Sequence, residues 1–315
     1  MPSRPIPVAL TRCPNYDTDL LAPAVERVLA AIGFAPTPGT RVLLKPNLVS
    51  ARKEALACSE PAMVRAICIW LMDHDCQVTV GDSPAFGSAQ GVADKVGITD
   101  ALKGLDVPLV TLDRPQPLTL SFGGSIGLSA TACEADLILN QPRLKAHCQM
   151  TVTAGVKNLF GCVTGMRKAF AHTRFGEQDN RFEAMILDVT AALPPVLTLL
   201  DAVRCMHVTG PTGGEPFELG LVAAANCPVS LDTAAYSILH LSPGEIALWR
   251  EAQARGIPGA QPEELAYPLE RPEAFDARGF QIPGRLTPVS FHPLRLAKGA
   301  FKRTLIRLRE RSEQR

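Results

Sequence analysis

Val42-Leu-Leu-Lys-Pro-Asn-Leu48, the run from Pro61 to Asp73, and Gln77-Val-Thr-Val-Gly-Asp-Ser-Pro84 read as strand, helix, strand. The outer two are short apolar runs closed by turn-forming residues, and the middle one carries apolar residues at helical spacing. Ser59-Glu60-Pro61 marks the helix start, since serine can cap free amide groups and a proline in the first turn gives up no hydrogen bond. Strand-helix-strand repetition implies parallel pairing, and open parallel sheets bind ligands beyond the carboxyl ends of their strands. The rim segments are therefore Lys45-Pro46-Asn47 and Gly81-Asp82-Ser83-Pro84.

Working outward, Pro7 to Leu10 reads as a strand, Leu20 to Ile32 as an amphipathic helix and Val107 to Thr111 as a further strand. Pro117 to Ser129 reads as an antiparallel hairpin turning at Gly123-Gly124, where positive φ angles are needed. Asp136 to Asn140 is a buried strand running into Pro142. Leu197–Asp201 and Leu219–Ala224 are later strands separated by the loop Gly210–Gly214, and Val229–His240 and Pro243–Ala254 are helices. Residues 258 to 293 carry seven prolines, which predicts irregular wrapping with one short strand around Gly279–Ile282. The fold class is α/β: a three-layer, mostly parallel sheet flanked by helices, with an antiparallel hairpin and a Pro-rich C-terminal extension. Residues 1–290 form the α/β domain and 291–315 a basic amphipathic helix.

The chain has 315 residues, 46% hydrophobic content and a net charge of +1, which suits one large core. No apolar run approaches the ~20 residues that cross a bilayer, and no secretory leader is legible, so the expected location is cytoplasmic. Nine cysteines without a regular framework fit a reducing compartment. No Cys-x-x-Cys pair exists, so no ferredoxin-type cluster motif or zinc ribbon is expected in this chain. Near-neutral charge and 5% aromatic residues argue against nucleic acid as a partner.

Charge is nevertheless concentrated. From Arg143 to Arg181 seven Lys or Arg residues face only Glu177 and Asp179, so the expected partner is a small anionic molecule. Lys145 and His147 alternate with Ala146 and share a face if extended, giving a cation beside an imidazole able to act as a general base. Lys157-Asn158, after the small residues around Gly155, suits an oxyanion with a point charge and a directed donor. Arg167, Lys168, His172 and Arg174 extend the clamp, arginine adding planar two-point recognition. Lys145, His147 and His172 are the candidate catalytic residues, and Lys45, Asn47, Asp82, Lys157, Asn158, Arg167, Lys168 and Arg174 the candidate substrate-binding ones. Against this stand plainer readings: a solvated basic loop, structural cysteines at 148 and 162, Asp82 as the cap of the next helix, and Asp232 as a structural carboxylate near a helix start. The C-terminal run from Pro293 to Arg315 sets eight Lys or Arg against two Glu, the pattern of a helix that docks on its own domain, meets an acidic partner or lies on an anionic membrane surface.

The ordered set Val42–Leu48, Gly81–Pro84, Asn140-Gln-Pro-Arg-Leu-Lys-Ala-His147, Gly155-Val-Lys-Asn-Leu-Phe-Gly161 and Pro228–Asp232 resembles the large domain-of-unknown-function family 362, DUF362, over about residues 5 to 285. The resemblance implies site residues at Lys45, Asn47, Asp82, Lys145, His147, Lys157, Asn158 and His172. It also implies a link to iron-sulfur chemistry, because members are often joined to 4Fe-4S ferredoxin modules; with no such module here, a ferredoxin-like partner would carry the cluster. The fold is distantly similar to the amino-terminal region of the nickel-pincer lactate racemases, a likeness of fold and not of chemistry. Two readings stay open: an enzyme acting on a small anion by acid-base or redox chemistry in a Lys/His/Asn cleft, with a metal or an externally supplied redox cofactor compatible with either, and a non-catalytic cofactor-binding or accessory protein that partners an iron-sulfur enzyme.

Overall fold

The computed structural model describes residues 4–49, 55–84, 87–165, 180–284 and 286. In chain order it contains β1 (Ile6–Arg12), α1 (Thr18–Ala31), β2 (Arg41–Lys45), α2 (Pro61–Asp73), β3 (Gln77–Asp82), α3 (Ala89–Val96), α4 (Ile98–Ala101) and β4 (Leu109–Thr111). Next come the hairpin β5 (Pro115–Thr119) and β6 (Ser125–Ser129), then α5 (Ala130–Cys133), β7 (Leu137–Asn140), β8 (Arg143–His147), β9 (Thr151–Thr153) and α6 (Gly155–Leu159). The remainder is α7 (Arg181–Ala192), β10 (Val196–His207), β11 (Glu215–Ala225), α8 (Pro228–Ile238), α9 (Ala247–Ala254) and β12 (Leu265–Ala266).

The main sheet runs β12-β1-β11-β10-β7-β2-β3-β4, with β8 continuing alongside β10 and β9 paired to β8. From β10 to β4 every neighbour is parallel, while β11 is antiparallel to both β10 and β1. Strand β2 is flanked by β7 and β3, while β1 lies beside β11 with three strands between it and β2.

Two apolar layers sandwich the sheet. Val25, Val28 and Leu29 of α1 and Met63, Val64, Ile67 and Leu71 of α2 pack on the face presented by Val42, Leu44 and Leu139. Phe182, Met185 and Ile186 of α7, with Tyr236 of α8 and Trp249 of α9, cover the face presented by Leu43 and Ile138. Alternate side chains of one strand supply both layers, as a sheet buried on two sides requires.

Local signals succeeded unevenly. Helix α2 starts at Pro61 as read, but Ser59 does not cap it: its hydroxyl accepts from the Asn47 amide at 2.7 Å and donates to the Gln141 carbonyl at 3.0 Å. Helix α3 is capped by Ser88, not Asp82. The hairpin turns at Gly123 and Gly124, both at positive φ. The strand expected at Gly279–Ile282 is absent; Gln281 accepts from the Val208 amide at 2.8 Å and donates its own amide to His207 Nδ1 at 3.2 Å, and the short strand of this region is Leu265–Ala266 on β1. Residues 287–315, which include the predicted C-terminal helix, lie outside the described residues.

A buried ionic knot ties β8 to the α1/α2 layer. The Arg143 guanidinium, 2% exposed, meets Asp201 at 3.0 Å and Glu60 at 3.0 Å, and donates to the carbonyls of Ala55 and Leu56. Tyr16 donates its hydroxyl to the other Asp201 oxygen at 2.8 Å; burial and the Asp201 charge hold that phenol well above its ordinary pKa, so it stays a donor. Removing one partner of a buried pair strands the other charge. Arg143→Leu is expected to lower the unfolding free energy by about 3–5 kcal/mol in urea titration, with part of the loss recovered when Asp201→Asn is added.

Candidate functional site

The strand order reverses between β7 and β2: β2 leads outward to β3 and β4, whereas β7 leads to β10. Such a switch point opens a crevice at the carboxyl ends of the strands. Here those ends are Lys45 and Asn140, paired in register, with Asp82 closing β3 next door. All three side chains are polar and nearly inaccessible.

Lys45 is fully buried and donates to Asp82 Oδ1 and to the Pro46 carbonyl, each at 2.9 Å. Asp82 also accepts from the backbone amides of Ser83 and Leu48, so one carboxylate fixes both rim loops. Gly161 rests directly on this pair: a Cβ there would stand 2.2 Å from Lys45 Nζ and 2.4 Å from Asp82 Oδ1. Asn140 donates to the Gly155 carbonyl at 2.9 Å and to Thr198 Oγ1 at 3.2 Å, and accepts from Asn158 Nδ2 at 2.8 Å.

Helix α6 is held at its start by Asp232, which accepts from the Gly155 amide at 2.6 Å and the Val156 amide at 3.1 Å. Burial pushes the Asp232 carboxyl up to about 7, against the pull of those two amides. Its contacts are those of a structural carboxylate.

Strand β8 carries the other half of the site. Arg143, Lys145 and His147 alternate with Leu144 and Ala146 along a segment buried throughout. Lys145 donates to Asn47 Oδ1 at 2.5 Å and to the Ala57 carbonyl at 2.8 Å, and among the described residues it has no carboxylate partner. A buried ammonium satisfied only by neutral oxygens is costly in its charged form. Desolvation accordingly pulls Lys145 from 10.5 down to about 8. Two of its three N–H donors are used.

His147 closes β8 at 5% exposure. Its Nδ1 accepts from the backbone amides of Gln149 at 3.1 Å and Met150 at 3.3 Å, holding the turn between β8 and β9. An Nδ1 engaged as acceptor leaves the ring proton on Nε2.

The structure therefore brings Lys45, Asn47, Asp82, Lys145 and Asn158 to one rim, with His147 at the end of the strand that carries Lys145. It does not bring Lys157 to Asn158's partners: Asn158 contacts Asn140, while the Lys157 ammonium lies over the rings of Phe160 at 4.4 Å and Phe182 at 5.4 Å, toward α7. Neighbouring residues on a helix diverge by about 100°. Arg167, Lys168, His172 and Arg174 lie outside the described residues. Among the described residues no group of three His, Cys, Asp or Glu is placed to hold a metal ion. Asn140, Gln141, Arg143 and Ser59 are the rim residues the sequence reading passed over; the signal was two carboxamides ending an apolar strand, where hydrocarbon neighbours leave a polar side chain dependent on specific partners.

A family model described as a domain of unknown function, DUF362, matches residues 42–237, a span that includes every rim residue named above. The chain belongs to the DUF362 family. It is 35% identical over 305 residues to the thylakoid-associated protein of Synechocystis sp., covering 95% of each chain. Among solved structures this DUF362 chain is similar to the lactate racemase apoprotein from Thermoanaerobacterium thermosaccharolyticum (15% identity, TM-score 0.44, 71% of this chain) and to a protein from Thermotoga maritima (9% identity, TM-score 0.42, 69% of this chain). It spans 57% of the length of each of those two. No helix among the described residues is long and apolar enough to cross a membrane.

The Lys145 environment sets a pH signature. Below pH 8 the amine is charged in both folded and unfolded chains, and the folded state bears the desolvation cost. Between about 8 and 10.5 the unfolded amine still binds a proton that the folded one has released, so stability rises with pH across that window. Lys145→Met is expected to remove this contribution, on the order of 3 kcal/mol in total, so that the stability difference between variant and wild type shrinks from pH 7.5 to 10 in urea titrations.

Proposed function

We propose that this DUF362 protein is an enzyme that binds a small anionic molecule at the β2/β7 rim and moves a proton on it, with Lys145 as the proton-transfer group. The observation that carries this reading is the Lys145 ammonium: fully enclosed, bonded to two neutral oxygens and without a counter-ion among the described residues. A buried cation of this kind favours an anion beside it. Desolvation holds it near pH 8, so a usable fraction is free amine at neutral pH. The amine takes a proton from carbon next to a carboxylate or carbonyl, and the ammonium so formed stands beside the oxyanion that this step creates. His147, with its proton on Nε2, serves as a hydrogen-bond donor in this scheme. Lys45 and Asp82 hold the rim loops and Asn47 aims Lys145. His172, Arg167, Lys168 and Arg174 belong to the site on the strength of the sequence.

The test is solvent exchange. Incubated in D2O with a panel of small carboxylates, the wild-type protein is expected to incorporate deuterium next to the carboxylate of at least one, read by NMR. Lys145→Met should slow that exchange by about 10²–10⁴-fold. Binding of the same acids without exchange would instead favour the carrier or accessory role, including service to an iron-sulfur partner.

A second reading concerns location. The relative's name attaches it to thylakoids, and residues 293–315 of this chain set eight Lys or Arg against two Glu with apolar residues at helical spacing. Together these support a cytoplasmic protein that touches an anionic membrane surface through its C-terminal segment. Co-sedimentation with vesicles containing phosphatidylglycerol is expected for the full chain, falling as salt rises and lost when 293–315 is removed; equal recovery of the truncated chain would end this reading.

A further inference from the structure

Gln141 follows the last residue of β7 and is fully buried, yet neither its side-chain oxygen nor its side-chain nitrogen has a partner among the described residues. Its backbone is fully engaged: the amide donates to the Lys45 carbonyl at 2.8 Å and the carbonyl accepts from Ser59 Oγ at 3.0 Å. The side chain is therefore the only part of the residue without a structural duty. Buried amides are paired in folded proteins because an unpaired one forfeits its hydration for nothing. Asn140 obeys that rule through three side-chain bonds, and the half-buried Asn47 engages its side-chain oxygen with Lys145.

A short chain of hydrogen bonds joins Gln141 to the group that carries the proposed function. The Gln141 carbonyl accepts from Ser59 Oγ, Ser59 Oγ accepts from the Asn47 amide, and Asn47 Oδ1 accepts from the Lys145 ammonium. The backbone of Gln141 and the ammonium of Lys145 are thus anchored to the same rim segments, and on α6 Asn158 Oδ1 is likewise buried and without a partner among the described residues. One unmatched cationic donor, one amide that both gives and accepts, and one further acceptor describe a complementary guest.

We infer that Gln141 is the specificity-determining residue of this rim, pairing with an uncharged end of the ligand, a primary amide or hydroxyl, while Lys145 meets the ligand's anionic end. A primary amide matches Gln141 through two opposed hydrogen bonds; a second carboxylate satisfies Nε2 but sets its oxygens against Oε1. This inference rests on the reading of Lys145 as the anion partner and adds a ligand class to it.

Malonate and its monoamide, malonamate, differ only at the end that Gln141 would read. By isothermal titration the wild-type protein is expected to bind malonamate about tenfold more tightly than malonate, the worth of one well-made hydrogen bond in a buried site. Gln141→Met should bring the two affinities together, whereas Lys145→Met should weaken both. The melting temperature gives a readout that needs no ligand: with its amide unpartnered in the free protein, Gln141→Met should melt about 2 °C higher or more. Gln141→Leu supplies the same readouts if methionine does not fit. A lowered melting temperature in both variants, or an unchanged malonamate preference, overturns the role of Gln141 and leaves Lys145 as anion partner intact. Failure of the wild-type protein to bind either acid overturns both.

Discussion

Charge cannot be left alone in a hydrocarbon layer, and the carboxyl-end rim of this sheet is organised by that constraint. Three cations are buried there within a few residues of strand ends. Lys45 is matched to Asp82, and Arg143 to Asp201 and Glu60. Each pair does positional work beyond neutralisation: Asp82 gathers the amides of Leu48 and Ser83, and Arg143 gathers the carbonyls of Ala55 and Leu56. The loops on both sides of Lys145 are therefore fixed by ion pairs in which Lys145 has no share. Among the described residues its own ammonium is left to neutral oxygens, while the other two buried cations, Lys45 and Arg143, are ion-paired.

The small residues around α6 follow from the same crowding. Gly161 must carry no side chain because the Lys45–Asp82 pair fills the space where a Cβ would go, and Gly155 must carry none because Asp232 and Thr198 stand 2.9 and 3.0 Å from that point. Asp232 then caps a helix only five residues long, which propensity alone would not sustain. Backbone, cap and glycine contacts together press α6 onto the strand ends and deliver Asn158 to Asn140. Lys157, one residue earlier, is carried away toward Phe160 and Phe182, which is why two adjacent polar residues take unrelated places.

Much of the architecture was legible because burial on both faces gives parallel strands an unmistakable apolar signature, and proline and glycine punctuate it. The rim position of Lys45, Asn47 and Asp82 followed from strand ends alone. What was not legible depends on long-range pairing. Asp82 reads as a helix cap until Lys45 is found across the gap between two strands, and Ser59 reads as a cap until Gln141 claims its hydroxyl. The β8–β9 pair was missed because Arg143-Leu-Lys-Ala-His147 carries three polar residues yet is buried throughout; its strand character comes from β10, whose bulge between Ala202 and Arg204 shares the stretch that faces Arg143 and Lys145. Likewise β1 found its partner in β11, more than two hundred residues later, a pairing no local pattern encodes.

The far end of β8 is held in a different way, by strained backbone. Thr151 and Val208 both adopt positive φ, at 62° and 71°, a region that β-branched residues avoid at a cost of about 1–3 kcal/mol each. Both flank the turn that His147 organises: Thr151 opens β9 opposite His147, and Val208 follows the last residue of β10, two residues before Gly210, whose carbonyl accepts from the Cys148 amide. Specific bonds hold each in place, Thr151 through its hydroxyl to the Glu245 carbonyl and Val208 through its amide to the Gln281 carbonyl. Gly210 packs directly on this segment, where a side chain would collide with the Ala146 carbonyl oxygen. The contacts that hold these two residues also bear on the imidazole: two backbone amides on Nδ1 orient the ring, and with Nδ1 as acceptor the neutral ring carries its proton on Nε2. Lys145 is thus placed by ion pairs it does not join and His147 by the backbone amides of its own turn, two independent constraints that aim neighbouring groups of one strand.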